Sequence, residues 1–288
     1  MIDRRSFFWL AGAGLLTRRL SACTAAPSPS TSGSPARALE RIGLQLYTVR
    51  SEMQKSVPQT LARVAAIGFR EVEFAGYFNH SPAELRKLLD EHGLSAPSTH
   101  VSLGRTPDEW QRALADAAAL GSTYATVPWL DAAVLRTVAD WERMGARFNA
   151  AAAAAKSMGL RFAYHNHDFE MRSIEGRVPL EILLASTDPA LVDFEMDIYW
   201  VVKGGGDPLS LIARYPGRFV LAHAKDATAA PEHRMVDVGA GTIDFARVLG
   251  AGMKAGMRFV FVEHDRPADP FASVTASYRT LSQLRLTP

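Results

Sequence analysis

The sequence predicts a closed (β/α)8 barrel, the TIM-barrel architecture, on three observations. A helix-period segment, a Gly and a short apolar run ending in polar residues recur along the chain as AAIGFREVEFAG, DEHGLSAPSTHVS, AALGSTYATVPWL, KSMGLRFAYHNHD, RYPGRFVLAHAKD and KAGMRFVFVEHD. With GLQLYTV near residue 44 and LVDFEMDIY near residue 194, strand starts fall near 42, 71, 96, 123, 160, 191, 218 and 258. Their mean spacing of roughly 31 residues is that of a strand plus a crossover helix, and eight such units in about 250 residues favour a closed barrel over an open doubly wound sheet.

The Gly of each repeat suits a helix C-terminus, because it reaches positive φ without steric cost before a strand begins. Two helix starts are marked by caps: Ser81-Pro82-Ala83-Glu84 and Thr106-Pro107-Asp108-Glu109 each offer a hydroxyl, a Pro at the first helical position and a Glu at the third. No strand is followed by G-x-G-x-x-G, which argues against a dinucleotide fold. The run Gly204-Gly205-Gly206 lacks the Lys and Ser/Thr of a P-loop and reads as a tight turn between strand and helix.

The chain has 288 residues, of which 48% are apolar and 22% charged, enough for one large domain with a substantial core. A net charge of +2, with Lys and Arg scattered, gives no basic face for nucleic acid. Residues 1–23 read as an export signal: Arg4-Arg5-Ser6-Phe7-Phe8 is similar to a twin-arginine signal, an apolar run extends from Phe7 to Leu16, and Leu20-Ser21-Ala22-Cys23 resembles a lipobox in which Cys23 is lipidated. Cys23 is the single cysteine, so no intrachain disulfide forms. Residues 24–38, rich in Pro, Ser, Thr and Ala, read as a flexible tether, and 39–288 as the barrel. The expected location is therefore the periplasm, with membrane contact only through a lipid on Cys23.

In such barrels catalytic groups sit at the C-terminal ends of strands, where this chain concentrates its polar residues. The strand ends offer Glu73, His100, His165 and His167, Glu195 and Asp197, His223 and Lys225, and Glu263 and Asp265. Side chains alternate along a strand, so His165 shares a face with His167, Glu195 with Asp197, and His223 with Lys225. Burying so many polar groups is costly unless they are paired or hold a cation, so their convergence favours a metal site.

From Arg41 to about Arg285 the chain resembles the xylose-isomerase-like barrel superfamily, in particular its sugar phosphate isomerases/epimerases. The segments that carry the resemblance are GLQLYTVR, FREVEFAG, YHNHDFE, MDIYWVVKGGGDP, AHAKD and FVEHD. It implies one divalent metal, Mn²⁺, Co²⁺, Mg²⁺ or Zn²⁺, held by Asp197, His223 and Glu263 together with a carboxylate from strand 5. Here the chain departs from the pattern, because His165 stands where that carboxylate would be and is the expected fourth ligand, with Glu170 further into the loop.

The resemblance implies that the metal polarises a carbonyl while Glu263 or His167 removes the adjacent proton, and that Lys225 stabilises the resulting enediolate. Glu73, His100, Asn166 and Trp200 are expected to touch substrate, Trp200 by stacking on a sugar face. Losing one carboxylate of the pair makes two-faced proton exchange harder. Three readings follow: a sugar isomerase/epimerase, a lyase eliminating the aglycone of 3-keto-glycosides, and a non-catalytic sugar-binding lipoprotein. Export favours free or oxidised sugars and glycosides, since sugar phosphates stay in the cytoplasm. An apurinic endonuclease would need ligands for three zinc ions and a basic face, neither of which is evident.

Overall fold

The structure is a computed structural model and describes residues 37–287. The export signal of residues 1–23, Cys23 and the tether up to residue 36 lie outside the described residues. Residues Arg37–Ala38, expected to belong to the tether, instead pair antiparallel with Arg285–Leu286.

Eight parallel strands close into a barrel in sequence order: β1 Gly43–Gln45, β2 Glu71–Phe74, β3 Ser95–His100, β4 Tyr124–Val127, β5 Arg161–His165, β6 Val192–Asp197, β7 Phe219–Ala224 and β8 Phe259–Val262, with β8 returning to β1. All six glycines of the sequence repeat, at 68, 93, 121, 159, 217 and 256, have positive φ. At Gly121 the conformation is left-handed and the glycine closes the helix Pro107–Leu120 directly before β4. Gly43 answers a different demand: a Cβ there would lie 2.3 Å from Cδ1 of Phe261 on neighbouring β8, so only Gly fits that closure.

Of the two expected capping boxes, one is complete. Ser81 Oγ accepts from Glu84 N at 3.3 Å while Glu84 Oε2 accepts from Ser81 N at 2.8 Å. At Thr106 only half forms, because Glu109 Oε2 accepts from the Arg105 N–H instead. The triple glycine also differs from the expectation. β6 runs directly into a short helix, Ile198–Lys203, and Gly204 to Gly206 end that helix rather than the strand. Asp197 drives the early turn by accepting from Trp200 N at 2.9 Å, and Met171 packs where Cβ atoms at 204 and 206 would stand.

The outward residues of the strands, among them Val72, Phe74, Phe162, Tyr164, Phe194 and Val260, are buried under the helices against Leu61, Leu85, Leu114 and Phe148. Phe148 packs its ring centroid 5.0 Å from both Phe162 and Tyr164. Each such side chain contributes about 1.5–3 kcal/mol by leaving water. Inside the barrel the two ends differ. At the N-terminal end Tyr124, Ala163, Val220, Leu221 and Phe261 form a separate apolar plug. Toward the C-terminal end the inward positions turn polar and still stay buried: Gln45, Glu73, Ser98, Thr126, His165, Glu195 and His223.

Candidate active site

The polar layer is built from strand ends. His223, fully buried on β7, is its hub: Nε2 lies 2.7 Å from Glu73 Oε2 and 3.1 Å from Glu195 Oε2, and Nδ1 lies 2.6 Å from Glu263 Oε2. Glu195 Oε2 also lies 2.9 Å from His100 Nε2 and 3.1 Å from His165 Nδ1, and His165 Nε2 stands 3.6 Å from Asp197 Oδ2. Lys225 is 2% exposed, with Nζ 2.9 Å from Asp197 Oδ2, 2.7 Å from Glu263 Oε2 and 2.8 Å from Asp265 Oδ1.

Burial works against every charge here, and neighbours decide which charges survive. Burial alone would lower His223, but Glu195, Glu263 and Glu73 on its two nitrogens carry it well above the usual imidazole range. His165 goes the other way, pushed well below that range by burial and by the cationic His223 and Lys225 nearby. Burial, aided by Lys225, lowers His167 to about 4, so its ring is neutral at pH 7. Burial raises Asp197 to about 6 against the pull of Lys225 and His223. Glu263 is also buried, yet Lys225 and His223 hold it far below the usual carboxylate range. Lys225 remains an ammonium, since Asp197, Glu263 and Asp265 outweigh its desolvation.

A cavity of about 550 Å³ opens above this layer, with His100, His165, His167, Lys225, Glu263 and Asp265 on its wall. Three residues expected to touch substrate stand behind that wall. Glu73 lies one step deeper along β2, where Gln45 Nε2 donates to it at 2.7 Å and His223 meets it from above. Asn166 accepts from Asp197 N at 3.1 Å and donates to Asp197 O at 3.4 Å, bracing β6 rather than facing the cavity. Trp200 backs the wall, its ring 5.6 Å from that of His167 and 5.8 Å from the Lys225 ammonium. Glu170 folds back, as a carboxylate beyond β5 can, but its oxygens take the Tyr164 hydroxyl and, at 2.8 Å, the His167 N–H.

Gln45, Ser98 and Asp226 were missed by the sequence reading. Gln45 sits two residues after Gly43 on the inward face of β1, a position that period-2 counting from the closure glycine would have found. Asp226 follows Lys225 and is buried. Its carboxylate accepts from the backbone N–H groups of Ala227 (2.8 Å), Gly239 (2.9 Å), Gly241 (3.1 Å) and Ile243 (3.1 Å), tying the loop after β7 into a ring.

The donor set fits a divalent metal. Ligand atoms of Asp197, His223 and Glu263 lie within 4.8 Å of one another, and so do those of His100, His165, Glu195 and His223. Ligand atoms lie about 2.0–2.6 Å from such an ion, so each group can close around one. Two buried carboxylate oxygens, Asp197 Oδ2 and Glu195 Oε1, make no hydrogen bond. The Lys225 ammonium beside Asp197 Oδ2 supplies charge without hydrogen-bond geometry. His165 falls in the group with Glu195 rather than in that of Asp197 and Glu263.

Imidazoles and carboxylates converging at the C-terminal rim of a closed barrel form a candidate metal site where such barrels carry their catalytic groups. The chain belongs to the family described as xylose isomerase-like TIM barrel, whose family model matches residues 61–277. It is 25% identical over 193 residues to an inosose dehydratase of Geobacillus kaustophilus, a match that spans 58% of this chain and 61% of that relative's length. A solved structure of a sugar phosphate isomerase/epimerase from Parabacteroides distasonis superposes with a TM-score of 0.75 at 27% identity, over 84% of this chain and 98% of that one. A structure of IolI with a bound zinc atom shares the fold, with a TM-score of 0.66 at 15% identity over 83% of this chain and 96% of that one.

Proposed function

We propose that the protein is a divalent-metal-dependent enzyme that removes the proton next to a carbonyl of an oxidised sugar and then expels the oxygen substituent one carbon further on. The observation that carries this reading is the inventory of bases on the cavity wall. Glu263 and Asp265, the cavity-lining carboxylates, are tied to Lys225, whereas His167 is neutral and its Nδ1 has no hydrogen-bond partner. His165, the other neutral imidazole on the wall, is held by Glu195 on Nδ1 and is a candidate metal ligand, which leaves His167 as the free base. One free base suits a one-base reaction, while exchange at both faces of a carbon needs two.

Asp197, His223 and Glu263 would hold the metal, with His165 or Glu195 completing the set, and the ion, whether Mn²⁺, Co²⁺, Mg²⁺ or Zn²⁺, would polarise the carbonyl. His167 takes the proton from carbon. Its low proton affinity then lets the imidazolium return that proton to the departing oxygen, giving an unsaturated ketone plus water or an alcohol. The Lys225 ammonium stays charged and stabilises the oxygen that becomes negative in between. The Glu170 clamp on the His167 backbone N–H fixes the main chain that carries the ring, and Trp200 excludes water behind it. The dehydratase relatives support elimination, and the Parabacteroides neighbour supports the second reading, in which the proton returns to carbon and the sugar is isomerised.

Incubation of the metal-loaded protein in D₂O with ketoses, inososes and 3-keto-glucosides separates the two readings. Elimination releases water or aglycone, and isomerisation places deuterium on carbon without release. Neither event with any of these substrates would overturn both readings and leave the sugar-binding lipoprotein. The N-terminal pattern supports export to the periplasm with lipid on Cys23. Cell fractionation tests this: Arg4→Lys with Arg5→Lys should retain the protein in the cytoplasm, and Cys23→Ser should release it from membranes.

A further inference from the structure

The cavity is larger and less uniform than a single sugar ring requires. Its volume of about 550 Å³ lies within the range of about 300–1,000 Å³ typical of pockets for drug-sized ligands. The charged groups on its wall lie deep, whereas the mouth is apolar: Tyr47 follows β1, Pro128 and Trp129 follow β4, and Val101 follows β3. Large apolar side chains are rarely left in water in a group, and among the described residues the three exposed ones are Tyr47 (40%), Trp129 (57%) and Val134. Two of these three border this one cavity, and the third lies five residues beyond Trp129. Tyr47 is also held in place. The Arg50 guanidinium stacks 3.9 Å from its ring centroid and donates to Tyr47 O at 2.6 Å, so one face of the ring is fixed by a cation.

The geometry points to an outer subsite, formed by Tyr47 and Trp129, that binds a planar aromatic aglycone while the sugar ring of the same glycoside occupies the charged floor. This rests on the reading that the floor takes a sugar. An aromatic group suits the mouth better than a second sugar, because Ser102 is the one side-chain hydroxyl there apart from that of Tyr47 itself, and a second ring of hydroxyls would go largely unpaired. The subsite makes glycosides, not free sugars, the preferred substrates.

Two unreactive ligands test it by calorimetry: phenyl β-glucoside and methyl β-glucoside, which share the sugar and differ in the aglycone. The phenyl compound should bind at least about tenfold more tightly. Trp129→Ala and Tyr47→Ala should each remove most of that preference and leave methyl glucoside affinity within about twofold. Both residues are exposed enough that the variants fold, which circular dichroism confirms. Equal affinity for the two glucosides, or an equal loss of both in Trp129→Ala, overturns the subsite while leaving the sugar site standing. No binding of either ligand, with or without added Mn²⁺, overturns the subsite, while the sugar site is decided separately by turnover of the 3-keto-glucosides.

Discussion

The two ends of the barrel interior are made by the same eight strands and follow opposite rules. On β7, Leu221 points into the apolar plug and His223, two residues later on the same face, is the hub of the polar layer. On β5, Ala163 and His165 repeat the contrast. Two residues, roughly 7 Å along a strand, separate a layer that supplies cohesion from one that is costly to bury and worthwhile only for chemistry. Stability and reactivity are therefore divided by height along the barrel axis, not by element.

The largest effect should come from the upper layer. His167→Ala is expected to lower turnover by roughly 10²–10⁴-fold while bound metal and unfolding midpoint stay at wild-type values. His165→Ala should instead lower metal content, read by elemental analysis of the purified proteins. Equal metal loss in both variants would mean that the upper layer is a single ligand shell with no separate base.

In the lower layer the signs reverse. Leu221→Ala should cost about 2–5 kcal/mol of unfolding free energy in a denaturant titration, because the plug cannot collapse around the missing atoms. Metal content and turnover per folded molecule should stay within about twofold of wild type. If this variant loses activity as steeply as His167→Ala, the two ends are coupled and the division by height is wrong.

Glu170 sharpens the comparison from the side, since it is a buried carboxylate outside both layers. Burial raises it to about 7, against the Tyr164 hydroxyl and the His167 N–H, which favour its charge. A carboxyl raised in the folded state contributes stability that is full below its ordinary value near 4.5 and is lost as pH rises through about 7. At about 1.4 kcal/mol per tenfold change in proton affinity, the loss is about 3 kcal/mol. Glu170→Gln should flatten the stability curve between pH 4.5 and 8, measured by urea unfolding at several pH values. A curve unchanged in this variant would assign the pH dependence to Asp197 or His100 in the upper layer, where burial and neighbours shift protons too.

Much of this division was legible in the sequence, and its limit has a physical reason. Six of the eight strand starts could be read because a glycine at positive φ precedes the apolar run, a local requirement that the chain must meet residue by residue. The faces were legible because side chains alternate. Height was not. Period 2 says that Glu73 and His100 point inward, but the shear of the barrel decides that Glu73 sits beneath His223 while His100 reaches the cavity. For the same reason the sequence does not group His165 with Glu195 apart from Asp197 and Glu263, and does not separate a stacking Trp200 from one that backs the wall. The triple glycine misled because the Asp197 side chain caps a helix directly at the end of β6, so the glycines end that helix and not the strand.

The loop after β7 has a consequence for redesign. Its neck is closed by the Asp226 carboxylate on four backbone amides and by the antiparallel pairing of Asp226–Ala227 with Met235–Val236, and its tip, residues 229–234, is mostly exposed. The holds on the tip from Tyr199 and Lys203 end on backbone carbonyls of His233 and Glu232, which any residue supplies. The segment is thus a cassette: its tip can be exchanged in sequence and length, so long as the Asp226 clasp stays shut, without disturbing Lys225 next to it.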